Sequence, residues 1–290
     1  MRVVNPFLLE FNETSSIVYT YIIVGLSGPV AKWEGLITRG SGIMERRDYY
    51  FDRIDFEGKT VLDAGTGDGA ALPLILERKP AEIFAVDKEA SQLSEAKEKI
   101  PEAARDTVSF VECNISSMDF LDADSIDIAV INYWIGRVRQ KPPYAVDYLK
   151  EIHRVLKPGG VLTILDESPD DFARYDERFI KYLNAADAIC IFLGEETWRD
   201  YQMDWMAGRV EEAGFVIEDS ILHEEGCTDT GEWLKMNIKG QIEEAGKIKE
   251  EKIGKALAGL LRELDACISP EETFWMGTEY SILARKNVII

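Results

Sequence analysis

Between residues 60 and 165, short apolar runs alternate with longer stretches whose apolar positions recur every three or four residues. The short runs, Thr60–Asp63, Glu82–Val86, Thr107–Glu112, Ile126–Ile131 and Val161–Leu165, read as strands. Ile126–Ile131 is almost continuously apolar, as a parallel strand buried on both faces requires. The longer stretches read as helices: Ala70–Glu77, Glu89–Ile100, and one opened by Pro142-Pro143 with Val146, Leu149, Ile152 and Leu156 on one face. Lys79-Pro80 and Lys157-Pro158-Gly159-Gly160 stop the first and last of these. Strands and helices alternating at this rhythm predict an α/β fold with a doubly wound, mostly parallel sheet.

The pattern differs at both ends. Ile43–Ile54 carries aromatic and apolar residues at helical spacing and stops at Gly58, so residues 1–55 read as a helical lead-in or cap before a main domain over 56–290. Upstream, Ile17–Leu26 is largely apolar, but Ser, Thr, Gly and Pro interrupt its surroundings and it is too short to span a bilayer. Glu10 and Glu13 stand where a signal peptide carries positive charge, so a buried or partner-facing helix is expected. After Asp166, residues 168–197 predict one or two short helices, and Trp198–Ala213 a helix with Trp198, Tyr201, Trp205, Met206 and Val210 along one stripe. Phe215–Leu222 is a sixth strand and Glu279–Ala284 a seventh. Between them, residues 230–267 form a charged helical insertion with a stripe of Ile253, Leu257, Leu260, Leu261 and Leu264.

Composition narrows the function. Of 290 residues 46% are apolar, enough for a core without disulfide or metal staples. The formal charge of -20 repels phosphate backbones. Acidic residues break both basic clusters, Arg46-Arg47 between Glu45 and Asp48, and Lys247–Lys255 around Glu250 and Glu251. Nucleic acid is therefore not an expected partner. Cys113, Cys190, Cys227 and Cys267 form no CxxC pair, and His153 and His223 are not spaced as ligands. Reduced, mostly buried cysteines in a cytoplasmic protein without a metal site are expected.

Asp63-Ala64-Gly65-Thr66-Gly67-Asp68-Gly69 joins the first strand to the first helix. Glycines there let the backbone turn sharply and approach a ligand, while the helix start offers free N–H groups. Gly65, Gly67 and Ala70 also fit the pattern of dinucleotide-binding domains. Asp87 ends the second strand, where a carboxylate can accept both hydroxyls of a ribose. These residues support an adenosine nucleoside without choosing its kind. An ordinary glycine turn, with Asp87 as a helix cap, is the plain alternative.

Val61-Leu62-Asp63-Ala64-Gly65-Thr66-Gly67-Asp68-Gly69 resembles motif I of class I S-adenosylmethionine (SAM)-dependent methyltransferases. The resemblance continues through Phe84–Asp87, Phe110–Asn114 and Asp127–Asn132. It is most distinctive at Glu151–Leu162, with the Arg-Val-Leu-Lys-Pro-Gly-Gly stretch common in small-molecule members, and extends to Glu212-Ala213-Gly214-Phe215. It implies a seven-stranded Rossmann-like sheet and SAM as cofactor, leaving as S-adenosyl-L-homocysteine. It further implies that Asp63, Gly65 and Gly67 line the methionine part, with Thr66 in the same loop. Asp87 would hold the ribose beside Lys88, Asn114 and Ile115 would flank the adenine, and Asn132 would lie near the transferring methyl. Relatives often carry Asp where Asn114 stands; an amide can still accept from the adenine amino group.

Methyl transfer from a sulfonium is an in-line displacement, in which orientation and exclusion of water supply much of the rate. A base is needed only if the acceptor loses a proton as it attacks. Ligands of open α/β sheets sit at the carboxyl ends of the strands, which points to Asn132, Tyr133, Trp134, Asp166 and Glu167. Tyr133 and Trp134 could wall a substrate pocket or simply pack. Glu167 could act as a base, bind a cation or face solvent. His223 has a suitable ordinary pKa, with a surface role as the alternative. His153 lies on a helix stripe and is structural.

The two helical insertions fall where lids over such a site form, and enclosed, aromatic-lined pockets suit small organic substrates. The expectation is a small-molecule methyltransferase with O, N or C as acceptor atom. A homodimer built on the same helices, a protein methyltransferase and a non-catalytic SAM-binding scaffold are alternatives. An NAD(P)-dependent oxidoreductase is the remotest, since no Tyr-x-x-x-Lys pair accompanies the glycines.

Overall fold

A computed structural model describes residues 46–136, 142–168, 174–195, 197 and 200–288. The apolar helix expected at Ile17–Leu26 lies outside the described residues. One seven-stranded sheet organises the rest, in the order β3-β2-β1-β4-β5-β7-β6. Its strands are β1 (Thr60–Ala64), β2 (Glu82–Asp87), β3 (Val108–Glu112), β4 (Ile126–Asn132), β5 (Leu156–Ser168), β6 (Phe215–Thr230) and β7 (Thr273–Lys286). Strands β1 to β5 pair in parallel. β7 slots between β5 and β6, antiparallel to both. The α/β doubly wound architecture expected from the sequence is present.

The helices are α1 (Leu72–Leu76), α2 (Ala90–Lys99), α3 (Ala145–Val155), α4 (Glu177–Leu193), α5 (Met203–Glu212), α6 (Gly231–Ala245) and α7 (Glu251–Ala266). Apolar residues on alternate positions of each strand supply a core to each face of the sheet. One face packs Leu62, Ala129, Ile131, Leu162 and Ile282 against Leu149 and Ile152 of α3 and Met206 and Val210 of α5. The other packs Val61, Ile83, Ile128 and Leu283 against Leu72 and Ile75 of α1 and against Tyr50, Phe51 and Phe56. A third cluster is helical: Phe179 and Ile189 of α4, Leu234 and Ile238 of α6, and Leu261 and Leu264 of α7 pack together with Phe274. This helical unit grows from the far ends of β5 and β6, the carboxyl edge of the parallel strands.

Several expected elements take a different form. The part of Ile43–Ile54 that is described is a run of turns and a 3-10 helix over Phe51–Arg53, although the buried residues Arg46, Arg47, Tyr50 and Phe51 keep a helical spacing. Docking of both arginines and both rings on the sheet overrides the longer helix. Among the described residues of 168–197 there is one 17-residue helix, α4, capped by the Asp176 side chain, which accepts from Arg178 N–H, and ended by left-handed Gly194. α5 starts at Met203 rather than at Trp198, and Tyr201 stacks on Trp205 instead of extending the helix. The 230–267 insertion is two helices; Leu261 and Leu264 of its stripe are buried, while Leu260 stays exposed. β6 and β7 run well past Phe215–Leu222 and Glu279–Ala284 because they continue beyond the sheet to carry that unit. Of the cysteines expected to be mostly buried, Cys190 is, whereas Cys113 is half-buried and Cys267 exposed. No helix among the described residues is long and apolar enough to cross a membrane.

Candidate functional site

The carboxyl ends of β1, β2 and β4 converge on the glycine loop. Gly65, Gly67 and Gly69 all take left-handed backbone, with φ of 77°, 53° and 80°. β-Branched or bulky residues are strained there and glycine is not. The turn is fastened to β2, since Gly65 and Thr66 N–H both donate to the Val86 carbonyl. Asp87 faces the same loop: one carboxylate oxygen accepts from Gly67 N–H at 2.9 Å and the other from Glu89 N–H at 3.0 Å. Asp87 thus joins the start of α2 to the loop, and each oxygen keeps a lone pair for a further donor. Lys88 beside it is exposed and lies 3.7 Å from Glu89.

Asp63 is buried at the end of β1 and accepts from the Thr66 hydroxyl at 2.5 Å. Burial pushes its carboxyl up to about 7, the neighbouring Asp87 charge adds to this, and Thr66 and Arg47 oppose it. Asn114 is exposed after β3 and its side-chain oxygen accepts from Ser116 N–H at 3.1 Å; Ile115 next to it is buried. The space beside Gly67 is open, the nearest atom to an added Cβ being Gln92 Oε1 at 3.7 Å. Beside Gly65 it is filled, because the Trp134 indole lies directly on the glycine.

A second group stands where β4 and β5 end, beside the middle of β7 and β6. Tyr133, immediately after β4, has left-handed φ of 59°. Its N–H donates to the Leu165 carbonyl at 2.8 Å and its hydroxyl to Glu279 Oε1 at 2.7 Å. Glu279 is fully buried and ion-paired with buried Arg46, which also donates to Glu225 Oε1 at 2.7 Å. Burial works against the Arg46 charge, and the two glutamates more than offset it, so its pKa is raised. Arg47 stacks over the Tyr133 ring, 5.0 Å from the centroid. Asn132 Nδ2 is buried without a hydrogen-bond partner, and Asn132 lines a small crevice together with Arg46, Arg47 and Tyr49.

Glu167 and His223 both sit opposite Glu279, on β5 and β6, so the three side chains share one sheet face. His223 is buried, not superficial; a ring nitrogen lies 2.8 Å from Ser281 Oγ and Tyr49 packs edge-on against it. Burial, reinforced by the Arg46 charge, holds its pKa below the ordinary value. Asp166 is buried too and accepts from Gly136 N–H at 2.7 Å. His153 packs edge-on against Phe215 at 5.0 Å, away from both groups. Two features escaped the sequence reading: Glu279 inside the seventh strand, and Arg46-Arg47, which looked like a basic pair broken up by acidic neighbours. The one available signal was a lone carboxylate inside Gly277–Ile282.

Comparison with known proteins adds the lineage. The methyltransferase domain family profile matches residues 55–214. A demethylmenaquinone methyltransferase of Lactococcus lactis is 29% identical over 163 residues, 54% of this chain and 61% of that protein, so the chain spans less than two thirds of that relative. The BH2331 protein of Bacillus halodurans shares the fold with a TM-score of 0.56 at 19% identity, over 83% of this chain and 99% of that one. The [4+2]-cyclase SpnF shares it with a TM-score of 0.52 at 18% identity, over 83% and 80% of the two chains. A sheet common to proteins of such different names carries no activity by itself. With a profile match over more than half its length, on the strand order and glycine loop described above, this chain belongs to the methyltransferase domain family of the class I SAM-dependent type.

Proposed function

We propose that the protein transfers a methyl group from SAM to a small organic acceptor held beneath the helical unit. The observation that carries this reading is the cradle made by the glycine loop and Asp87. The Gly67 face is open, and Asp87 presents free lone pairs beside it. Such a cradle fits the nucleoside half of the cofactor. When bound, SAM supplies an electrophilic methyl on a sulfonium.

The chain's own residues do the rest. Asp63 and Thr66 would meet the methionine end, where an ammonium favours the ionised form of Asp63. Asn114 and Ile115 would border the base. Asn132, with its unused amide donor, would orient the acceptor or the methionine carboxylate. Tyr133, braced by Glu279, would wall the acceptor pocket with its phenol fixed in direction. Glu167, on the same face, is the candidate base for an acceptor that loses a proton. His223 sits on β6, separated from β4 by β5 and β7, and its bond to Ser281 supports a structural role over a catalytic one. The helical unit, at the carboxyl edge of the strands, would exclude water as a cap. The surface charge disfavours an RNA or DNA acceptor, and a homodimer and a cytoplasmic location remain part of the same proposal.

The test is transfer of isotope-labelled methyl from SAM to fractionated cell extract, with Asp87→Ala as control. Label in low-molecular-weight products, absent with the variant, is the expected result. Label retained only in protein or RNA would overturn the choice of acceptor.

A further inference from the structure

The two glycines that define the cradle face different surroundings. An added Cβ on Gly67 would meet nothing closer than 3.7 Å, whereas on Gly65 it would lie 2.2 Å from Trp134 Nε1 and 2.7 Å from Cδ1. The Trp134 indole therefore rests on the bare face of Gly65, the face across which a ligand would approach the backbone. Its Nε1–H donates to the Ala64 carbonyl at 2.7 Å, and its ring packs edge-on against Tyr148 at 5.2 Å. The backbone on either side is pinned, by Tyr133 N–H on the Leu165 carbonyl at 2.8 Å and by Gly136 N–H on Asp166 at 2.7 Å. With the backbone held there, the side chain of Trp134 is the part placed to turn away from Gly65.

Resting on the reading that this cleft binds SAM, we infer that Trp134 controls admission of the cofactor's methionine half. The side of Gly67 and Asp87, where the ribose would sit, is open as the chain folds; the Gly65 side, against the methionine chain, is filled by the indole. Binding of the whole cofactor must break the Trp134–Ala64 hydrogen bond and displace the ring from the loop. A ligand with a nucleoside but no amino-acid chain makes no such demand. The displaced indole then belongs to the β4 end, beside Tyr133, so cofactor binding and completion of the acceptor wall are one event. Apparent affinity for the cofactor is the intrinsic affinity multiplied by the fraction of molecules in which the ring is already displaced, so a mostly seated ring weakens binding.

Calorimetric titration of S-adenosyl-L-homocysteine and of adenosine into wild type, Trp134→Ala and Trp134→Phe separates the possibilities, with circular dichroism confirming that each variant is folded. The phenylalanine variant keeps a ring but cannot donate to Ala64, so it serves if the alanine variant does not fold. The expected result is at least about tenfold tighter binding of S-adenosyl-L-homocysteine to the variants, with adenosine affinity unchanged. Weaker binding of S-adenosyl-L-homocysteine would make Trp134 an ordinary wall of the pocket and overturn the inference. Equal affinities in all three proteins would overturn it as well. Silence of every protein toward both ligands would instead remove the SAM reading beneath it.

Discussion

Asp63 is the residue whose chemistry is most displaced by the fold. With its carboxyl pushed from 3.8 up to about 7 by burial, the folded protein holds a proton that the unfolded chain releases. Its stabilising contribution is complete below the ordinary carboxylate pKa and is lost as pH rises through about 7. Urea unfolding of wild type and Asp63→Asn from pH 4 to 8 should therefore show wild type losing stability relative to the variant up to about pH 7, then levelling. Parallel curves would contradict the burial effect. Gly65 and Gly67 make a paired test of the loop. Both need left-handed backbone, so alanine at either should cost about 1–2 kcal/mol. Gly65→Ala should cost more than Gly67→Ala, because only its Cβ collides with Trp134. Equal losses in denaturant titration would mean the indole yields freely. The glycines, Asp63 and Asp87 were legible because their spacing within one loop and one strand end states their geometry. Trp134 on Gly65 was not, since it depends on how the chain returns after β4.

At the scale of elements, β7 draws together parts of the chain that sequence separates widely. Through Glu279 it joins Arg46 and Tyr133, 233 and 146 residues away. Removing one member of a buried ion pair strands the other charge, so Arg46→Met should lower stability by about 3–5 kcal/mol. It should also speed proteolysis near residue 46, as the segment loses its anchor. A neutral effect on both readouts would show that the pair is not what docks it. The helical unit is tested at Leu261 of α7, fully buried against α4 and α6. Leu261→Ala should cost about 2–5 kcal/mol yet leave affinity for S-adenosyl-L-homocysteine within a factor of two or so, because the described residues of its apolar cluster include none of the glycine loop. A large loss of affinity would tie the unit to the cofactor rather than to the acceptor. Strands β1, β2 and β4 were read almost to the residue, as apolar runs bounded by turn residues. The ends of β6 and β7 were hidden, because Gly226, Gly277 and the polar run Thr228–Thr230 break the alternation where this strand pair extends past β5. α4 was hidden by aromatic residues that suit several short helices as well as one.

For the whole molecule, the strand rhythm and the ordered motifs made the doubly wound sheet readable, and the family match over residues 55–214 agrees with it. The acidic charge and the two insertions narrowed the acceptor class but named no acceptor, since their side chains meet only after folding. The cleft of Gly67, Asp87 and Asp63 is proposed to take SAM and not a nicotinamide nucleotide. Thermal unfolding with S-adenosyl-L-homocysteine or NADH, each at about one hundred times a micromolar dissociation constant, tests it most directly. Native-state binding at that excess adds about 2.7 kcal/mol. A rise of a few degrees is expected with S-adenosyl-L-homocysteine and none with NADH. A rise with NADH alone would contradict it.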